Sequence, residues 1–525
     1  MELTRIHLFS DIFTNLSDEQ RQRCAICCGG VCYSYGQLAA AIDSYAAELI
    51  DRGVRPGEHV GLWSFNSVTW VAVFFAIVKV GAVAVLPNYS LSRDEVARLL
   101  EHTHVNVLFY GNNMAVKRDP AAAESLAASL GLRQLIDLRA PENDFARHCA
   151  AQVMEHPELS ARVAADESGR SAFIIFTTGT TGAPKAVLLH QRGLLSNAAA
   201  LATRTEPVAG DAICIALPLF HVFGLQWLTT YLLQHKTVYL QDRIQAQYII
   251  DTVSANQVTD LASVGTIFDQ LTEHPDFSRI RDMLRFCQTG GGRITPSQFL
   301  KLESAFGRAK FFNGLGMTEA HGGVTEPLPT DDQTCRARSL GPLSDLLEGK
   351  LITPEGTEAA PGQVGELCIR GQTLMNGYYG MPDGSQGFDP EGWFHTGDLG
   401  FFEENGHLCL AGRTKELIIR AGENIAPLEV ETAIIEAGGV HDARVYGLLH
   451  PVLGETVECC LIPEDPASFD EGLLRAALAG RLAAFKIPNR FFLFDSFPLQ
   501  ANGKIDDIGL RQALEQRARL STNAT

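Results

Sequence analysis

Thr177-Thr178-Gly179-Thr180-Thr181-Gly182-Ala183-Pro184-Lys185 follows directly on the apolar run Phe173-Ile174-Ile175-Phe176. Glycines let backbone N–H groups turn toward an anion, the four threonines add hydroxyl donors, and Lys185 adds a cation. Together these suit a polyphosphate. The G-x4-G-K-[ST] spacing of a Walker loop is absent, and Val187-Leu188-Leu189 reads as a strand where a helix should begin. Taken alone, the segment is read as readily as a Gly- and Thr-rich hairpin turn. Further along stand two carboxylates, Glu319 and Asp398, two cations, Arg413 and Lys504, and His221 between Phe220 and Phe223. Lys504 follows the turn signal Asn502-Gly503, which puts it on an exposed loop able to reach another domain.

These residues need a large frame. The 525 residues predict two to four packed units, and 46% apolar with 20% charged content is that of a globular enzyme. A net charge of -18 without a dense Lys/Arg run argues against a nucleic-acid surface. The N-terminus is not read as a secretory signal. No C-x-x-C pair and no Cys/His cluster with zinc spacing are read, and the 12 cysteines are expected as buried thiols of a reducing cytoplasm. Leu38, Ile42, Tyr45, Ala46 and Leu49 recur at helical spacing before Gly53. Residues 68–86 are the nearest thing to a membrane span; Lys79 and Gly81 interrupt them, predicting a buried helix, then a strand at Val83-Ala84-Val85-Leu86 stopped by Pro87. Repeated helix and buried strand is the pattern of a layered α/β core. Residues 121–128 predict a surface helix. After Gly362 the texture turns β-rich, and a break falls near Gly412-Arg413-Thr414-Lys415. Val430, Ala433, Ile434 and Ala437 then form one helix face, and Leu474, Leu478 and Leu482 another. The expectation is an α/β chain: a large multi-subdomain N-terminal domain, residues 1–413, with layered sheets and a β-rich subdomain, and a small mobile α+β C-terminal lid, residues 414–525.

The threonine-rich loop resembles the signature loop of the adenylate-forming (ANL) superfamily, which includes acyl- and aryl-CoA synthetases, firefly-type luciferases and adenylation domains of peptide synthetases. Residues 217–224, LPLFHVFG, resemble the motif supplying a gating aromatic, here His221. Gly290-Gly291-Gly292 resembles the adenine-side glycine strand, and Asn313-Gly314-Leu315-Gly316-Met317-Thr318-Glu319 the nucleotide and magnesium motif. Residues 393–398, WFHTGD, resemble the ribose motif; Gly412-Arg413-Thr414-Lys415-Glu416, running to Gly422 and Pro427, resembles the hinge and thiolation motif. The segments around Lys486 and Lys504 resemble the C-terminal lysine region. The resemblance covers essentially the whole chain from residue 33 onward.

It implies an acid–thiol ligase using ATP, Mg2+ and coenzyme A, which converts a carboxylic acid to its acyl adenylate and then to a thioester, as in fatty acid metabolism. Thr177, Thr178, Gly179, Thr180, Thr181, Gly182 and Lys185 would cradle phosphates. Thr318 would bond the α-phosphate, Glu319 would hold magnesium, and Asp398 with Arg413 would hold the ribose. Lys504 would bridge the carboxylate and the α-phosphate. Lys415 would be the pivot of a domain rotation that withdraws Lys504 and admits the thiol, with Gly422 lying against the pantetheine arm. His221 is read as a pocket gate and not as a base.

The chain departs from the family pattern at Ala186 for a usual Gly, Leu315 for an adenine-stacking aromatic, Ile419 for a luciferase-type lysine and Asp507 near a common Arg. Ile419 favours the synthetase branch. HVFGLQW carries no carboxylate for an amino-acid ammonium, which counts against an amino-acid-activating domain. A ligase serving an acyl carrier protein, and a non-catalytic nucleotide- or acyl-binding protein, are the alternatives. The acyl pocket is expected to draw on His221, Phe223, Trp227, Gly290, Gly292 and His321-Gly322-Gly323. Small residues there suggest room, and the lack of a basic residue disfavours a dicarboxylate.

Overall fold

The computed structural model describes residues 7–150, 156–165, 167–177, 184–205, 210, 212–292, 294–382, 387–421, 423–500 and 504–522, the side chains of 142 and 520–522 excepted. The first expected helix runs Tyr35–Asp51 and buries Leu38, Ile42, Tyr45, Ala46 and Leu49. Ser34 starts it: its hydroxyl accepts from the Gln37 N–H, and the Gln37 side chain accepts from the Ser34 N–H. Gly53, at φ +75°, turns the chain just beyond its end. Val68–Lys79 is a helix buried on nearly every side, and Val83–Leu86 is the buried strand after it. No helix among the described residues is long and apolar enough to cross a membrane.

That strand lies mid-sheet, in the order Gly377–Tyr378, Lys185–His190, Ser171–Thr177, Val83–Leu86, His59–Trp63, Val107–Tyr110, Gln134–Asp137. A second sheet runs Lys310–Asn313, Phe286–Thr289, Asp260–Ala262, Ala212–Ile215, Thr237–Leu240, Cys24–Cys28, Val31–Ser34. Its first six strands pair in parallel. In a parallel sheet the loops at the carboxyl ends of the strands face ligands. Those ends carry three expected motifs: residues 217–224 after Ala212–Ile215, Gly290 to Gly292 after Phe286–Thr289, and Gly314 to Gly316 after Lys310–Asn313. The β-rich part is an antiparallel sheet of Leu347–Ile352, Gly365–Gly371, Phe394–Phe402 and Leu408–Arg413.

Beyond the short turn Thr414–Glu416 the chain packs on cores of its own, one around Val430, Ile434, Val457 and Leu478, another around Cys460, Leu510 and Leu514. Gly454–Pro463 is the central strand there, between Val440–His450 and Arg490–Leu493, and also meets Ile418–Arg420. Two helix expectations shift. Ala122–Leu130 buries Ala122, Ala123 and Leu126 and so is not merely superficial. Leu482 lies past the end of Glu471–Ala479, so that helix face is Leu474 and Leu478.

The cysteines need a correction. The antiparallel register sets Cys27 opposite Cys32 across a turn through Gly29 and Gly30, and the two are joined as a disulfide. Cys24 Sγ lies 3.4 Å from Cys27 Sγ. Cys24-Ala25-Ile26-Cys27 is a C-x-x-C pair, passed over when the cysteines are read as isolated thiols. The other described cysteines are free thiols, Cys214, Cys287, Cys459 and Cys460 among the buried ones.

Candidate active site

Thr177 ends its strand directly opposite Lys185, which starts the next, so the threonine-rich stretch bridges an antiparallel pair. Thr178, Gly179, Thr180, Thr181 and Gly182 lie outside the described residues. Lys185 Nζ sits 4.3 Å over the ring of Tyr378, whose hydroxyl donates to Glu319 Oε1 at 2.9 Å. A cation and a carboxylate from segments far apart in the chain are thus linked through one phenol. Burial, and then the Glu319 carboxylate, push the Tyr378 hydroxyl's pKa up, so it stays a donor. Tyr378 is absent from the sequence reading; a tyrosine in a Gly-Tyr-Tyr-Gly turn carries no local signal of its partner.

Thr318 and Glu319 stand on a single 3-10 turn, Thr318–Ala320, which His321 closes at φ +57°. His321 corrects the expected pocket wall. It is fully buried; Nε2 accepts from the His190 N–H at 2.8 Å, and Nδ1 donates to the Thr373 carbonyl at 2.8 Å. Both ring nitrogens are therefore committed to the backbone, with the proton on Nδ1. Burial, then the neighbouring His190, bring its pKa down to about 3, so it remains neutral. A Cβ on Gly193 would lie 2.5 Å from Nδ1. His321 is a strut that clamps the Thr318–Glu319 turn to the Lys185–His190 strand.

Lys504 comes from the small C-terminal part yet lies partly buried against the large one: a Cβ on Gly291 would sit 2.9 Å from its Nζ. Burial first, then the Arg413 charge, hold its pKa below that of an ordinary lysine. His221, at the start of Val222–Leu233, feels it too: burial and the Lys504 ammonium lower the imidazole to about 3. Neutral at pH 7, it is a poor base. Gly290 has the Phe223 ring 3.4 Å from where a Cβ would be, and Gly292 faces open space. Trp227 is buried against Phe286, with ring centroids 5.3 Å apart, and so belongs to the core.

Asp398 is 2% exposed and directly opposite Arg413 in the β-rich sheet; Arg413 Nε donates to Asp398 Oδ1 at 2.8 Å. Thr396 Oγ1 accepts from the Asp398 N–H, and Glu366 accepts from the Gly397 N–H, which fixes the turn before it. Lys415 lies on the Thr414–Glu416 turn between the two units, and Gly422 lies outside the described residues. Asn313 ends its strand and Gly316 pairs with Gly323. Leu315, at 8% exposure, is largely part of the core, leaving an edge for a base. At Gly314 a Cβ would meet the Thr325 carbonyl at 2.3 Å and Glu326 Oε2 at 2.5 Å. Because the nearer atom is backbone, Gly314→Ala is expected to cost about 1–3 kcal/mol of stability through forced displacement. Denaturant unfolding checks this; an unchanged midpoint would show that the close approach is soft.

Residues 13–379 match the AMP-binding enzyme family, and residues 429–504 its C-terminal domain, a match that ends on Lys504. The chain belongs to this adenylate-forming family, whose members of this kind are AMP-forming acid–thiol (CoA) ligases. Among curated relatives, it is 31% identical to a feruloyl-CoA synthase of Amycolatopsis sp over 91% of this chain and 93% of the other. To an oxalate–CoA ligase of Arabidopsis thaliana the identity is 30%, over 90% and 91%. The solved o-succinylbenzoate CoA synthetase of Bacillus subtilis, in complex with its acyl-adenylate intermediate, superposes with TM-score 0.76 at 26% identity, covering 92% of this chain and 94% of that one. The acids in these names are unlike one another.

Proposed function

We propose that this protein is an ATP- and Mg2+-dependent acyl-CoA synthetase. A carboxylate oxygen attacks the α-phosphorus of ATP, pyrophosphate leaves, and the thiol of coenzyme A then displaces AMP from the acyl carbonyl. The observation that carries this reading is the burial of Lys504, from the C-terminal part, against Gly291 and beside His221. An anionic nucleophile must approach a triphosphate, and a cation held in a site of low water content lowers that barrier. The boundary between the domains is placed between Arg413 and Thr414, with Lys415 as the pivot. Asp398 and Arg413 are assigned to the ribose, and Thr177, Thr318 and Lys185 to the phosphates. The ten free cysteines support a cytoplasmic location, and the Cys27–Cys32 bond pulls against it.

Glu319 is the group assigned to magnesium. A carboxylate suits a hard cation, and the Tyr378 hydroxyl fixes the orientation of one of its oxygens. Bound there, the ion would neutralise phosphate charge. Glu319→Gln is expected to raise the Mg2+ concentration at half-maximal adenylation by at least about tenfold. A magnesium titration identical to wild type would remove Glu319 from this role.

The overall test is carboxylate-dependent pyrophosphate release followed by CoA consumption with a panel of acids. Pyrophosphate release without CoA consumption would shift the acceptor to a carrier protein. No release with any acid would overturn the ligase reading.

A further inference from the structure

Cys24, Cys27, Cys28 and Cys32 share one hairpin, Cys24–Cys28 with Val31–Ser34, at an edge of the second large sheet. Residues three apart on a regular strand face opposite sides. Here Cys24 pairs with Ser34 and Ile26 with Tyr33, so Ala25 is an extra residue on its strand. That bulge turns Cys24 to the side of Cys27. Pairing across the turn adds Cys32, and the three sulfurs lie within 4.8 Å of one another. Cys28 follows Cys27 and by strand alternation faces the other way, where burial, then Asp242, push its thiol up to about 12.

Each of the three sulfurs suits a different part in thiol–disulfide exchange. Cys24 is a free, half-buried thiol, with Sγ 3.4 Å from Cys27 Sγ. Cys27 is 3% exposed, whereas Cys32 stands exposed on the edge strand. An exposed sulfur is the better leaving group, because water stabilises its thiolate. A thiol arriving from solvent meets Cys32 first and would have to expel Cys27 into a buried site, the costlier direction. Cys24 attacks from within and expels Cys32 outward. Burial raises the Cys24 pKa, while Thr237 and the Ile26 N–H act in the other direction. Arg23, Tyr35 and Tyr239 are the charged and titratable groups around it. The attacking thiolate therefore grows as pH rises.

We propose that these three cysteines form a thiol–disulfide relay that ends in a modification site at Cys32 for a low-molecular-weight disulfide. The Cys24 thiol gives up its proton and its sulfur bonds to Cys27 Sγ; the Cys27–Cys32 bond breaks, and Cys32 leaves as a thiolate. That thiolate attacks one sulfur of the small disulfide. A mixed disulfide forms at Cys32, and the other half of the small molecule departs as a thiol carrying the proton. The small disulfide is the oxidant, and Cys24 is the thiol oxidised. The proposal does not depend on the ligase reading.

The test incubates the full-length protein, purified without reductant, with glutathione disulfide near pH 7 and near pH 9, then quenches with acid and maps the cysteine peptides by mass spectrometry. Glutathione is expected on Cys32 together with a Cys24–Cys27 disulfide, formed about 10- to 100-fold faster at the higher pH. In Cys24→Ser the Cys32 adduct is expected to fall at least about tenfold, and in Cys28→Ser to form at the wild-type rate. Cys24→Ala takes the place of the serine variant if that one does not fold. Glutathione on Cys24 with the Cys27–Cys32 bond intact, no adduct on any of the three, or an undiminished Cys32 adduct in the Cys24 variant overturns the relay. Three free thiols in the untreated protein also overturn it.

Discussion

Lys504→Ala is expected to slow pyrophosphate release by about 100- to 1,000-fold, the loss typical of removing one preorganised donor from a developing charge. The fold should survive. Lys504 follows the described end of its own loop, held by the Gln500 N–H donating to the Lys504 carbonyl and by the Leu499–Ile505 bridge, and neither uses the ammonium. Burial disfavours the charged amine, so truncation removes an electrostatic cost and leaves the thermal midpoint near wild type. The same reasoning says when the closed arrangement is favoured. Burial and Arg413 lower the Lys504 pKa, and a bound phosphate would act in the opposite sense, so nucleotide is expected to favour the closed arrangement. A variant also supplied with synthetic acyl adenylate should still form thioester, because the second half-reaction does not need this amine. Near-normal pyrophosphate release by Lys504→Ala would remove the lysine from the chemistry.

Lys415→Pro is the complementary case, expected to cut thioester formation by about 100-fold or more, a loss of the size that misplacing reacting groups produces. Lys415 sits on the single turn Thr414–Glu416 between Leu408–Arg413, in the large domain, and Ile418–Arg420, in the small one. Proline locks φ near the value of such a turn, so it tolerates the closed arrangement while blocking the backbone rotation that would present another face to the thiol. The larger loss should therefore fall on CoA consumption and the smaller on pyrophosphate release, measured on the same preparation. Equal losses in both would show a general disturbance, and intact CoA consumption would place the pivot elsewhere.

How much of this was legible in the chain depends on how local the cause was. The Tyr35–Asp51 and Val68–Lys79 helices follow from apolar spacing and a serine cap, both written within a few residues. Asp398 and Arg413 stand in motifs separated by one short hairpin, and the ladder sets them opposite each other. His321 went astray because its type and its glycine neighbours suit a pocket, while its partners are His190 and Thr373, distant in sequence. Tyr378 went unnoticed for the same reason: its partner is Glu319, distant in sequence.

The amino-acid order by itself determined the family, the alternation of helix and strand, and the groups able to handle phosphate, because those rest on residue type and short spacing. Tertiary structure alone decided which glycines are filled by a neighbour's side chain, which histidine is a strut, that Cys27 meets Cys32, and that Lys504 lies against Gly291. Each of these is a matter of burial or of contact across long stretches of chain, and neither water exclusion nor a long-range neighbour is encoded in any window of adjacent residues.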